Sequence, residues 1–156
     1  MILSLAAAGC HSVRPAQRPA ETVEQPACYE PARVKITPLT EFISHTPREP
    51  LKLKVYVDVL DGFDSRMKAP GVFRFEAYEY LPHSGEEKGK RAIIWPDIDL
   101  EEPGLNNQYW LDFMRCYLFT LGVGDEIRKN HSYVLQVTCI TPLGERLTDD
   151  YIIEYK

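Results

Sequence analysis

What this 156-residue chain lacks narrows its function before any motif is read. It has no basic excess. Its 18 Lys and Arg stand against 23 Asp and Glu, a net charge of −5, so the positive field that non-specific nucleic-acid binding requires is missing and no nucleic-acid partner is expected. Long hydrophobic runs are missing too: the uncharged stretch at residues 1–9 (MILSLAAAG) is far shorter than the ~20 residues needed to span a bilayer. Glycine is sparse, with 9 residues, and Gly122-Val123-Gly124 has neither the third glycine nor the lysine of a phosphate-binding loop. Neither Gly-x-Ser-x-Gly nor His-Glu-x-x-His occurs. Cysteine is too rare for a disulfide-built miniprotein, and no two of Cys10, Cys28, Cys116 and Cys139 lie within four residues of each other, as a zinc site would require. These absences lead to the expectation of a protein that is not an enzyme and carries no cofactor. The 44% hydrophobic and 11% aromatic content excludes disorder throughout, and the length suits one domain.

The N-terminus reads as an address. Residues 1–9 run without charge into Cys10, and the composition then turns to Pro, Arg, Gln and Glu. The segment Leu5-Ala6-Ala7-Ala8-Gly9-Cys10 resembles a bacterial lipobox. That resemblance implies lipid attachment at Cys10, residues 1–9 as a signal-peptide remnant, and a lipid-anchored location in the cell envelope. His11 in place of an aspartate after the cysteine implies the outer membrane, facing periplasm or exterior. Residues 10–32 carry Pro15, Pro19, Pro26 and Pro31 without apolar periodicity and read as a semi-extended tether. Cys28 lies within it with no assigned role.

From residue 33 to 156 the apolar residues alternate with period two. Leu51, Leu53, Val55, Val57 and Val59 share one face of the clearest run, and Phe73, Phe75 and Ala77 share one face of the next. Arg33–Ile36, Arg91–Asp97, Tyr109–Thr120, His131–Thr141 and Leu147–Lys156 complete about seven short strands, with Pro96 confining its strand to an edge or an end. The 109–120 segment also fits a helical stripe, but its wealth of Phe, Tyr and Trp and the glycines that follow favour a strand. The expected fold is all-β, an antiparallel β-sandwich of immunoglobulin or transthyretin type. The segment Lys54–Tyr80 resembles the first hairpin of transthyretin-like exported domains. Lipobox, tether and Val72-Phe73-Arg74-Phe75 together are similar, in architecture, to the lipoprotein of the type VI secretion membrane complex.

Candidate site residues are few. Cys116 and Cys139 alternate with apolar neighbours and read as inward-facing, either as buried thiols or, in an oxidising compartment, as a disulfide. That expected burial sets aside a thiol-imidazole pair with His83 or His131. Asp58, Asp61 and Asp64 around one loop, and Asp97, Asp99, Glu101 and Glu102 around another, are the residues a C2-like calcium site would use. EF-hand spacing is missing and acidic strand ends are usually solvated, so metal binding is not the favoured reading. The run His83–Arg91 reads as a mobile hairpin tip. Tyr56, Tyr78, Tyr80, Trp95 and Trp110 are candidates for an exposed binding face, with Trp95 and Trp110 able to stack on sugars. The expectation is a non-enzymatic binding or assembly module, held to a membrane by its N-terminal lipid and partnered by an envelope protein or glycan. The alternative is a calcium-dependent C2-like membrane or ligand-binding module.

Overall fold

A computed structural model describes residues 29–44 and 49–156. Cys10, Cys28, the 1–9 segment and most of the expected tether lie outside the described residues. The alternating runs become strands: β1 (Arg33–Ile36), β2 (Glu41–Ile43), β3 (Lys52–Leu60), β4 (Val72–Tyr80), β5 (Lys88–Ile94), β6 (Ile98–Asp99), β7 (Trp110–Leu111), β8 (Cys116–Gly122), β9 (His131–Ile140) and β10 (Arg146–Tyr155). A seven-residue helix, α1 (Pro103–Tyr109), precedes β7. All pairings are antiparallel, in two sheets. The first runs β1-β3-β8-β7 with β2 also on β3, and the second runs β10-β9-β4-β5 with β6 also on β4. The fold is the expected all-β sandwich; β1, β3, β4, β9 and β10 fall on the expected runs, whereas β5 begins and ends three residues before the expected 91–97 and residues 109–120 are divided.

The three short strands have a simple origin. β1 and β2 line the same edge of β3, and a turn breaks them between Ile36 and Glu41. The Thr37 N–H donates to Tyr56 O at 2.9 Å, and Thr40 Oγ1 accepts from the Tyr56 N–H at 3.2 Å, carrying the ladder across the break. β5 and β6 likewise line one edge of β4 on either side of Pro96, which has no N–H to give a ladder.

The core is aromatic at its centre. Phe73, Phe75, Tyr117 and Phe119 are fully buried, with neighbouring ring centroids 4.8 to 6.2 Å apart, and Val55, Val57, Val59, Leu135 and Val137 close around them. Each such side chain contributes about 1.5–3 kcal/mol through burial. The sheets are stitched at their margins by Asp149 Oδ2, which accepts from the Ile36 N–H at 2.8 Å, and by Trp95 Nε1, which donates to Gly122 O at 2.6 Å.

Residues 109–120 correct the expectation of one strand. They comprise the end of α1, two-residue β7, a turn over Asp112–Arg115, and β8. The turn closes on Arg115, at a left-handed φ of 54°, whose N–H donates to Leu111 O at 2.7 Å. That turn shifts the phase of β8, so Tyr117, Phe119 and Leu121 face inward instead of Met114, Cys116 and Leu118.

Candidate functional site

The strand registers gather the acidic candidates and both cysteines toward one end of the sandwich. β3 ends where β1 and β8 begin, and β4 and β10 begin where β9 ends. The loop 61–71 joins these two groups, so it shares one end with α1, the β7–β8 turn and the β9–β10 turn. Gly71 closes the loop where only glycine fits: a Cβ there would lie 2.8 Å from Ile140 O and 3.0 Å from Cys139 Sγ.

A groove of about 320 Å³, lined mainly by apolar surface, lies at this end between Lys68-Ala69-Pro70 and Glu101, Pro103, Asn106 and Asn107. A buried polar network ties its two walls to each other. Tyr117 Oη accepts from the Ala69 N–H at 2.9 Å, and Asn106 Nδ2 donates to Ala69 O and Leu100 O, each at 2.9 Å. The single Tyr117 hydroxyl hydrogen goes to Asn106 Oδ1 at 2.8 Å, the shorter of its two acceptor contacts and one with no other donor given to it, whereas Ala69 O, 3.1 Å away, accepts from the Asn106 amide. Burial pushes the Tyr117 phenol upward, partly opposed by its contacts with Ala69 and Asn106. Helix α1 begins with Glu102 as N-cap, whose carboxylate accepts from the Gly104 and Leu105 N–H groups at 2.8 and 2.6 Å and is held below its ordinary range by them.

Two surface loops are cross-braced beside the groove. Arg66 donates from Nη1 to Met114 O at 3.1 Å, and Arg115 donates from Nη2 to Arg66 O at 3.0 Å. Lys68 Nζ donates to Asn107 Oδ1 at 2.7 Å, sits 3.6 Å from Asp112 Oδ1, and lies over the Trp110 ring at 5.4 Å. The Ser65-Arg66-Met67-Lys68 tetrapeptide has the Ser-x-x-Lys spacing of a serine–lysine hydrolase. Here it lies in a loop, with the lysine directed to Asn107 and Asp112.

The two candidate cysteines are not bridged. Cys139 lies in the inner core, whereas Cys116, in the shifted phase of β8, lies on the outer side of its sheet and outside the core cluster. With Cys139 on the inner face of one sheet and Cys116 on the outer face of the other, the β8 backbone lies between the two thiols, and a bridge would require a strand to move. Burial pushes the Cys139 thiol up to about 11. Burial, and then the nearby Asp58 carboxylate, raises Cys116 against the opposing effect of Arg66. His131 begins β9 at the opposite end, where its Nδ1 lies 3.0 Å from Lys129 O.

The candidate calcium ligands are already engaged. Asp64 pairs with Arg33, and Asp58 Oδ2 accepts from Arg66 Nε at 3.0 Å. Asp61 Oδ1 accepts from the Phe63 and Ser65 N–H groups, each at 2.9 Å, and Asp99 Oδ1 from the Glu101 N–H at 2.9 Å. Asp97 takes a two-bond contact from Arg74 at 2.9 and 2.7 Å, and that guanidinium holds its carboxyl below the usual range. Asp58 Oδ1 is buried without a partner, and no group of three metal-ligating side chains comes together among the described residues. No described helix is long and apolar enough to cross a membrane.

The aromatic candidates divide differently from expectation. Trp95 is buried and offers no sugar-stacking face, and Tyr56, Tyr78, Tyr80 and Trp110 are half-buried. The aromatic rings that protrude at this end are Tyr29, Phe63 and Phe113, which alternation does not mark because loops have no period. Phe63 was legible only as an apolar residue inside Asp61-Gly62-Phe63-Asp64, a segment otherwise made for a turn. No protein-family model, curated protein or solved structure matches the chain.

Proposed function

We propose that the protein is a lipid-anchored, non-enzymatic β-sandwich of the cell envelope, which binds another envelope component at its loop end. Lipid attachment falls to Cys10, and the tether spans residues 10–32. The observation that carries the reading is the coincidence of anchor and groove. The N-terminal segment joins the sandwich at the loop end, where Ala32 N donates to Leu60 O at 2.8 Å, and the apolar groove beside Lys68 and Asn107 opens at that same end. The Tyr117-Asn106-Ala69 network keeps this groove formed before any partner arrives, which lowers the entropic cost of binding. The partner is an envelope protein that inserts apolar side chains there.

Two measurements test the two halves. Replacing Cys10 with Ser should release the protein from membranes into the soluble envelope fraction, and complete retention in membranes would refute the anchor. A photo-crosslinking residue at Asn107, in cells, should capture one discrete protein, whereas the same residue at exposed Thr120 on β8 should not. Equal capture from both positions would refute the groove as the binding face.

A further inference from the structure

The four most exposed large apolar side chains among the described residues are Phe113 (86% exposed), Leu143 (78%), Tyr29 (66%) and Phe63 (63%). They come from four separate segments, yet all lie at the loop end. Tyr29 packs against Phe63 with ring centroids 5.8 Å apart. The Phe63 loop is bonded to the Phe113 turn through Arg66 and Met114 O. Leu143 shares a small apolar pocket with Glu30, Pro31 and Pro70. Phe63, Phe113 and Leu143 sit at the tips of turns and Tyr29 lies against Phe63, so together they form projections and not a cavity.

We infer that this end of the sandwich docks onto the lipid bilayer, with Phe63, Phe113 and Leu143 entering the headgroup boundary. The reading rests on the lipid anchor at Cys10 for its orientation. Eighteen residues separate Cys10 from Tyr29. At the ~3.1 Å per residue of a semi-extended, proline-rich chain, that stretch reaches about 60 Å at most. It leads into the sandwich at the end bearing Tyr29, which is therefore the part of the domain joined most directly to the anchor. The partly inserted apolar side chains hold the contact by themselves, and tethering adds to it by raising the local lipid concentration. Protruding tips suit insertion into a soft interface, whereas a protein partner would require pockets to receive them. The nearby cations are engaged: Arg33 with Asp64, Arg66 with Asp58, Lys68 with Asp112, and Arg115 with Arg66 O. Attraction to anionic lipid is therefore a minor contribution, and docking is apolar.

The test uses the full chain carrying C10S, which removes the acyl group, with vesicles of phosphatidylethanolamine and phosphatidylglycerol in a 3:1 ratio. Co-sedimentation should be measurable and nearly equal in 0.1 and 0.5 M NaCl. It should fall at least tenfold in F63S/F113S/L143S, a variant whose melting curve confirms folding. No binding by the parent, unchanged binding by the triple variant, or loss of binding in 0.5 M salt would each overturn the proposal. So would loss of a cross-linked protein partner in the triple variant while vesicle binding persists. Because C10S carries no lipid, this readout is independent of acylation. Mass measurement of the native N-terminus reports separately on the anchor.

Discussion

At the residue scale, the cysteines show how much one position in a strand decides. Cys139 lies in the inner core and Cys116 on the outer side of its sheet, so the two differ in surroundings although both are buried thiols. Because burial raises the Cys139 thiol to about 11 from an ordinary value of 9, the folded state holds its proton more tightly than the unfolded chain. The associated stability is fully present below pH 9 and is lost as pH rises from 9 through 11. Urea unfolding of the full chain should show a loss of roughly 2 kcal/mol across that window. In Cys139→Ala the slope should be visibly shallower, and an identical slope would assign the loss to other groups. In the native protein below pH 9, iodoacetamide should leave both Cys116 and Cys139 unmodified, with no bridge between them in peptide maps.

At the element scale, the groove depends on a loop, a helix and a strand that share one hydroxyl. Tyr117 on β8 holds Ala69 of the 61–71 loop and Asn106 of α1, and its ring remains in the aromatic core. Tyr117→Phe keeps the ring and removes only the hydroxyl, leaving the Ala69 N–H and Asn106 Oδ1 buried without partners. The expected cost is ~1–3 kcal/mol in urea unfolding, together with faster hydrogen exchange at the amides of α1. A variant as stable as the parent would show that water replaces the hydroxyl. The seven-residue helix is too short to persist on intrinsic propensity, so its place as a groove wall depends on the Glu102 cap and this network.

For the whole molecule, the acidic residues that invite a calcium reading are divided between two sheets. Asp58 belongs to β3 with Asp61 and Asp64 just beyond it, whereas Asp99 belongs to β6 with Asp97 just before it. Arginines and backbone N–H groups occupy these carboxylates, so a cation would have to displace existing partners. The melting temperature should be indifferent to EDTA and to millimolar calcium. A rise of several degrees with calcium would mean that these loops rearrange into a site.

Long strands were legible in the chain because burial on one face imposes a period of two, and that period survives in β3, β4, β9 and β10 with its phase intact. Pro96 was legible for an equally local reason, since it cannot donate to a ladder. The phase of β8 was not, because it depends on the left-handed Arg115 and on the turn that brings it back to Leu111 O. Nor was the convergence of Tyr29, Phe63, Phe113 and Leu143, which belong to four segments far apart in sequence. By itself, then, the sequence determined the all-β class, the positions of β1, β3, β4, β9 and β10 and most of the inward-facing residues, because each follows from local periodicity. The tertiary structure alone decided which cysteine faces the core, which walls form the groove and which apolar tips share an end. Those properties depend on strand order and turn geometry, which join residues that the chain itself keeps apart.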